Sequence, residues 1–189
     1  MKKISVFILI LLFIAGLWSA FLPNVQRHIV KLKKEQILEE INKKERYISV
    51  DQVARYIINS DPSVLLVDVR DSLEFNKFSL PGAVSIPIDS LFIANNIQLL
   101  SSDAFKIIFY SNGTSLADHA WLLSKTAGFP NVYVMKGGLN EWFNSIILPK
   151  PPKEWASQEE FEKYSFRLFA SRFFTGAGEQ ATEISANKK

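Results

Sequence analysis

The chain has 189 residues, 48% of them apolar and 22% charged, a globular balance that sets aside disorder. It contains no cysteine, which excludes disulfides, thiolate nucleophiles and cysteine-ligated metals, and its two histidines, His28 and His119, are too far apart in sequence for a histidine-rich metal site. The formal charge of +3 is concentrated at the start: Lys2 and Lys3, then seven Lys/Arg against four Glu in residues 24–46, so that residues 47–189 carry −2 and lack the basic excess of a nucleic-acid binder.

Residues 4–22, ISVFILILLFIAGLWSAFL, are uncharged. As a helix they would reach about 28 Å, the thickness of a bilayer core, with Trp18 at interfacial depth. The run is longer than the apolar region of a signal peptide, and Trp18 fills the upstream small-residue slot of a cleavage site ending at Ala20. These features predict residues 1–23 as an uncleaved membrane anchor in contact with lipid, the cleaved signal peptide being the alternative. Arg27, Lys31, Lys33 and Lys34 follow the span and oppose export by the positive-inside rule. The minimal lysine-flanked start favours it, and an extracytoplasmic (periplasmic) body is the expectation.

Residues 24–46 read as a charged juxtamembrane helix, a solvated stalk with Val30, Ile37 and Ile41 on one side. From Tyr47 helices and strands alternate. Ser49 and Gln52 form a capping-box signal for a helix with Val50, Val53, Ala54, Ile57 and Ile58 on its buried face. The apolar run of residues 64–69 predicts a central parallel strand. Pro81-Gly82 predicts a turn before a short strand at 84–86. KIIFY (106–110) and NVYVM (131–135) predict two further strands flanking a helix over 115–127, and Gly137-Gly138 precedes a last short helix around 140–143. Such alternation predicts an α/β domain built on a parallel sheet. Residues 150–189 form a C-terminal extension whose helix begins at the capping box Ser157–Glu160. It is expected to pack back through Phe161, Tyr164, Leu168, Phe169 and Phe173.

Three blocks, Asp-Val-Arg (68–70), Pro-Gly-Ala (81–83) and Lys-Gly-Gly followed by Trp142, stand in the order found in rhodanese domains. LLVDVRDSLEFNKFSLPGAVSIP resembles the first half of that fold, with an acidic helix after the Asp-Val-Arg strand. FYSNGTSLADHAWLLSKTAGFPNVYVMKGGLNEWF resembles the second half. The resemblance covers residues 47–149 and implies a three-layer rhodanese-like domain and, in active members, sulfur transfer through a persulfide on the cysteine of Cys-x-x-Gly-x-Arg. Aligned without a gap, Ser111 takes the cysteine position and Leu116 the arginine position, Gly113 arrives one residue early, and Ser79 stands where a histidine often precedes the Pro-Gly-Ala turn.

A serine hydroxyl neither ionises as a thiol does nor holds a transferable sulfur, so the loop Ser111, Asn112, Gly113, Thr114, Ser115, Leu116 reads as degenerate. No confident catalytic residue, cofactor or metal is called for. Asp68, Arg70, Ser111, Thr114 and Ser115 are the binding candidates. Asp68 and Arg70 are read as loop ties first, and Thr114 or Ser115 as the helix N-cap. The function expected is a catalytically inactive binding or scaffolding module with a protein partner. The alternatives are a sulfurtransferase dependent on a partner's thiol, or a hydrolase using Ser111 with Asp118 and His119, although no G-x-S-x-G elbow is present.

Overall fold

The computed structural model describes residues 39–42 and 44–176. The apolar run of residues 4–22 lies outside them, as does most of the charged segment that follows. Among the described residues no helix is long and apolar enough to cross a membrane.

Five strands form one sheet: β1 (Tyr47–Ile48), β2 (Val64–Asp68), β3 (Val84–Ser85), β4 (Lys106–Tyr110) and β5 (Val132–Met135). Their order is β1-β5-β4-β2-β3, and every pairing is parallel. The continuous apolar runs of β2 and β4 follow from this, because a parallel sheet is covered on both faces. Side chains alternate between those faces. Ile107 and Phe109 point into a cluster with Trp121, Phe129, Leu91 and Leu100, whereas Ile108 and Tyr110 join Val53, Ala54, Leu139, Trp142 and Ile146 on the other side.

The helices supply the outer layers. Helix α1 (Val50–Ile58) starts where the Ser49 side chain accepts from the Gln52 N–H, and it buries Val50, Val53 and Ala54. Helix α2 (Ser72–Lys77) is capped by Asp71. Helix α3 (Ala94–Leu100), which no sequence signal announced, has no side-chain cap. Helix α4 (Ser115–Thr126) leads away from β4, and α5 (Gly138–Trp142) from β5, running on into a π-helical turn, Phe143–Ile147. Helix α6 (Gln158–Thr175) begins with both halves of the Ser157–Glu160 capping box formed.

Two expectations need correction. The inner face of α6 is not the predicted one: Phe166, Ala170 and Phe174 face the domain, while Phe161, Phe169 and Phe173 are exposed. The small Ala170 lets the helix approach closely, Ser171 Oγ donates to the Ile147 carbonyl at 2.8 Å, and the Arg167 guanidinium bonds both Asp51 oxygens at 2.6 and 2.8 Å. The charged segment, expected as a solvated stalk, is exposed at residues 39, 41, 42, 44 and 45 and departs from that reading at its last residue. Residues 39–42 are helical, a 3-10 turn follows at Lys44–Arg46, and Arg46 is clamped onto the domain. Its guanidinium donates to Asp118 Oδ1 at 3.1 Å and to the Tyr47 hydroxyl at 2.6 Å, and it lies 4.8 Å from the Trp121 ring centroid. A planar cation that stacks and bonds at once gains more from docking than from solvation alone.

Two predictions follow from this packing. Gly138 has φ +59°, and a Cβ built there would meet the Ser111 carbonyl and come within 2.7 Å of the Gly113 carbonyl. Gly138→Ala should therefore lower stability by about 2 kcal/mol or more, seen in thermal unfolding by circular dichroism; an unchanged midpoint would contradict the close approach. Burial works against ionisation of Asp51, but the hydrogen bonds and charge of Arg167, with Lys163, outweigh it and hold the carboxyl below its ordinary value. A depressed folded-state pKa gives stability that is present above the unfolded value near 3.9 and lost as pH falls through the folded one. Asp51→Asn should thus cost about 1–2 kcal/mol at neutral pH, and the gap from the parent should close in acid. A gap independent of pH would refute the ion-pair account.

Candidate functional site

The carboxyl ends of β2, β4 and β5 converge at one rim of the sheet, where open parallel sheets place their ligands. After β2 the chain passes through Val69 to Arg70, after β4 it enters the loop of residues 111–114, and after β5 it reaches Gly137-Gly138.

Arg70 holds this rim together. It is 6% exposed, and Asp68 beside it is fully buried. The guanidinium Nε lies 3.0 and 3.1 Å from the two Asp68 oxygens, and Nη2 lies 2.6 Å from Oδ2. Nη1 donates to Asn112 Oδ1 at 3.0 Å and Nη2 to the Phe78 carbonyl at 2.6 Å. The bonds that Arg70 donates to the Asp68 carboxylate raise the Arg70 pKa above its ordinary value. One cation thus ties the β2 end, the α2 exit and the loop after β4, in keeping with the tie expected of Asp68 and Arg70.

The loop is also fastened from its other side. The N–H groups of Leu139 and Asn140 donate to the carbonyls of Ser111 and Asn112, both at 2.9 Å. The Gly137 N–H donates to Thr114 Oγ1 at 2.9 Å. This corrects the capping expectation: Thr114 occupies the N-cap position of α4, but its hydroxyl serves the glycine turn and no side-chain cap bond forms. Ser115 is exposed. Among the described residues no acceptor meets the N–H groups of residues 113–117, so the helix start keeps a concavity of free donors.

Ser111 is 2% exposed, and its Oγ donates to the Gly113 carbonyl at 2.6 Å. The two groups considered as its base are elsewhere. The Asp118 carboxylate accepts from Arg46 and, at 2.9 Å, from the Tyr47 hydroxyl, and His119 is exposed. The geometry gives no support to a Ser111 hydrolase. Leu116 packs partly buried against the core on the Trp121 side, so the arginine position supplies no cation to the concavity. Tyr110, closing β4, accepts from the Leu80 N–H at 3.1 Å, and burial pushes its phenol well above the usual range, leaving it neutral.

Sequence reasoning had not assigned three of these roles. Asn112 is the acceptor for Arg70 across 42 positions. Gly138 admits the loop carbonyls, and the Tyr110 hydroxyl anchors the chain before Pro81. Tyr110 did carry a signal, since a buried tyrosine needs a partner for its hydroxyl. Beside the rim, the Phe78 and Phe143 rings meet at a tilt of 49° with centroids 4.9 Å apart, each 38% exposed.

The chain is similar in sequence to several known proteins. A thiosulfate:glutathione sulfurtransferase of Saccharomyces cerevisiae is 26% identical over 104 residues, 50% of this chain and 75% of the yeast protein. A tRNA uridine(34) hydroxylase of Yersinia pestis is 30% identical over 99 residues, 51% of this chain but 27% of the hydroxylase, so that likeness spans about a quarter of the larger protein. The solution NMR structure of a rhodanese-like domain from Anabaena sp aligns with a TM-score of 0.47 at 25% identity, covering 59% of this chain and 88% of that one. The family model for the rhodanese-like domain matches residues 49–145, just over half of the 189 residues. The chain belongs to the rhodanese-like domain family, as a member with no cysteine.

Proposed function

We propose that this chain is a catalytically silent rhodanese-like domain that serves as a binding or scaffolding module, tethered to a membrane by residues 4–22 with its body on the extracytoplasmic side. The observation that carries the reading is the Ser111 hydroxyl, buried and donated to the Gly113 carbonyl where active members carry a sulfur nucleophile. Sulfur transfer by a persulfide requires a thiolate that attacks the donor sulfur and later releases it. A hydroxyl with a pKa far above neutrality, lacking a base and already bonded, does neither. The apolar Leu116 further removes the charge that would hold an anionic sulfur donor.

The tether rests on residues 4–22, whose uncharged length suits a bilayer. The clamp of Arg46 on Asp118, Tyr47 and Trp121 then fixes the domain to the end of the segment leading from that tether.

A thiosulfate:cyanide assay on the full chain tests the proposal. No turnover above background is expected from the parent, and Ser111→Cys with Leu116→Arg should remain at least ~100-fold below an active rhodanese, because Gly113 is displaced and the loop stays tied to Gly138 and Arg70. Parent turnover that disappears in Ser111→Ala would overturn the reading.

A further inference from the structure

Helix α6 lies beyond the family-matched residues 49–145 and has two unlike faces. The inner face carries Ala170, fully buried, and Phe174, whose ring meets Trp142 edge-on at 4.9 Å. At 100° per residue, Phe161, Ser165 and Arg172 project away from Ala170, while Glu162, Phe169 and Phe173 line the adjoining flank, the six together spanning about 120° of the helix surface. There Phe161, Phe169 and Phe173 are 39%, 56% and 52% exposed, the Phe173 ring lying edge-on to Phe174 at 5.1 Å.

This outer face is complementary to its own reverse. Phe161 and Phe173, Ser165 and Phe169, and Glu162 and Arg172 are each placed symmetrically about position 167. An antiparallel α6 pair centred there sets Phe161 against Phe173 of the second copy, seats each Phe169 ring over the small Ser165, and brings each Glu162 beside an Arg172. A parallel pair would instead bring like charges and like helix ends together. Arg172 has no acidic partner among the described residues, and the Glu162 carboxylate accepts from Gln158 Nε2 at 3.2 Å, one turn away. Opposed helix dipoles add to the preference. Glu159, Glu160 and Glu162 at the helix start weigh against an anionic lipid surface as the occupant.

We propose that the outer face of α6 is an isologous docking surface for a second copy of this chain, joined antiparallel about a two-fold axis through position 167. Helix α6 is about 27 Å long, and a lone helix pair is at the small end of specific interfaces, so a weak dimer with a dissociation constant of about 1–100 µM follows. The inference is independent of the proposed loss of catalysis.

Sedimentation equilibrium of the full chain in detergent, across that concentration range, tests it. The parent is expected to approach twice the 21.5 kDa chain mass. Arg172→Glu should raise the dissociation constant by ~10-fold or more through like-charge contact with Glu162 of the second copy, as should Phe169→Glu. Because these positions are exposed, neither change disturbs the domain core. The double reversal, Glu162→Arg with Arg172→Glu, should return the constant to within ~3-fold of the parent. A monomer at every concentration would overturn the proposal. So would a dimer indifferent to both single changes, as one held together by residues 4–22 would be, or a double reversal that restores nothing.

Discussion

A buried guanidinium must find acceptors for its donors, and that requirement at Arg70 organises the functional rim of this domain. Asp68 alone cannot satisfy it. The remaining nitrogen positions are met by the Phe78 carbonyl and the Asn112 side chain, so segments far apart in sequence are fixed to one point. Removing one partner would leave an uncompensated charge, far costlier than the net gain of the intact pair. The loop after β4 is therefore held on one side by a charge that cannot be left unpaired. On its other side it is held by the N–H groups of Leu139 and Asn140, close enough that residue 138 can carry no Cβ without displacement.

The loop fastened in this way belongs to a chain that contains no cysteine. The strand end, the turn and the helix start with its free N–H groups are all present. What differs lies in the side chains: a hydroxyl at position 111 turned back onto the loop, and an apolar Leu116 directed to the core. The fastening groups, Arg70, Asn112 and Gly138, are separate from positions 111 and 116. Among the described residues outside the family match, Arg46 anchors the entry to the domain, and Arg167 with Ala170 anchors the exit helix.

Much of the fold was legible in the chain because its signals are local. The apolar runs of β2, β4 and β5 can be buried on both faces of a parallel sheet, and Ser49 and Ser157 announce helix starts through their own side chains. What was not legible depended on partners distant in sequence. Strand β1 is two residues long and exists because β5 offers an edge. Helix α3 lacks a capping side chain, and its core-facing residues, Ile97, Leu99 and Leu100, make too short a run to set a period. In α6, aromatics occur on nearly every side, so periodicity could not choose the inner face; Ala170 and the Asp51 partner of Arg167 chose it. At the site, the serine in the cysteine position was plain from sequence. The diversion of Thr114 from capping to the Gly137 N–H was not, because that N–H belongs to a turn 23 positions away.

The central claim, that position 111 is a buried and occupied hydroxyl unable to carry sulfur, is tested most directly by intact-mass spectrometry. The purified full chain would be incubated with a polysulfide donor and, in parallel, with a serine-reactive fluorophosphonate. The account predicts an unchanged mass in both samples. A mass gain of one sulfur atom, or a fluorophosphonate adduct mapped to Ser111, would contradict it.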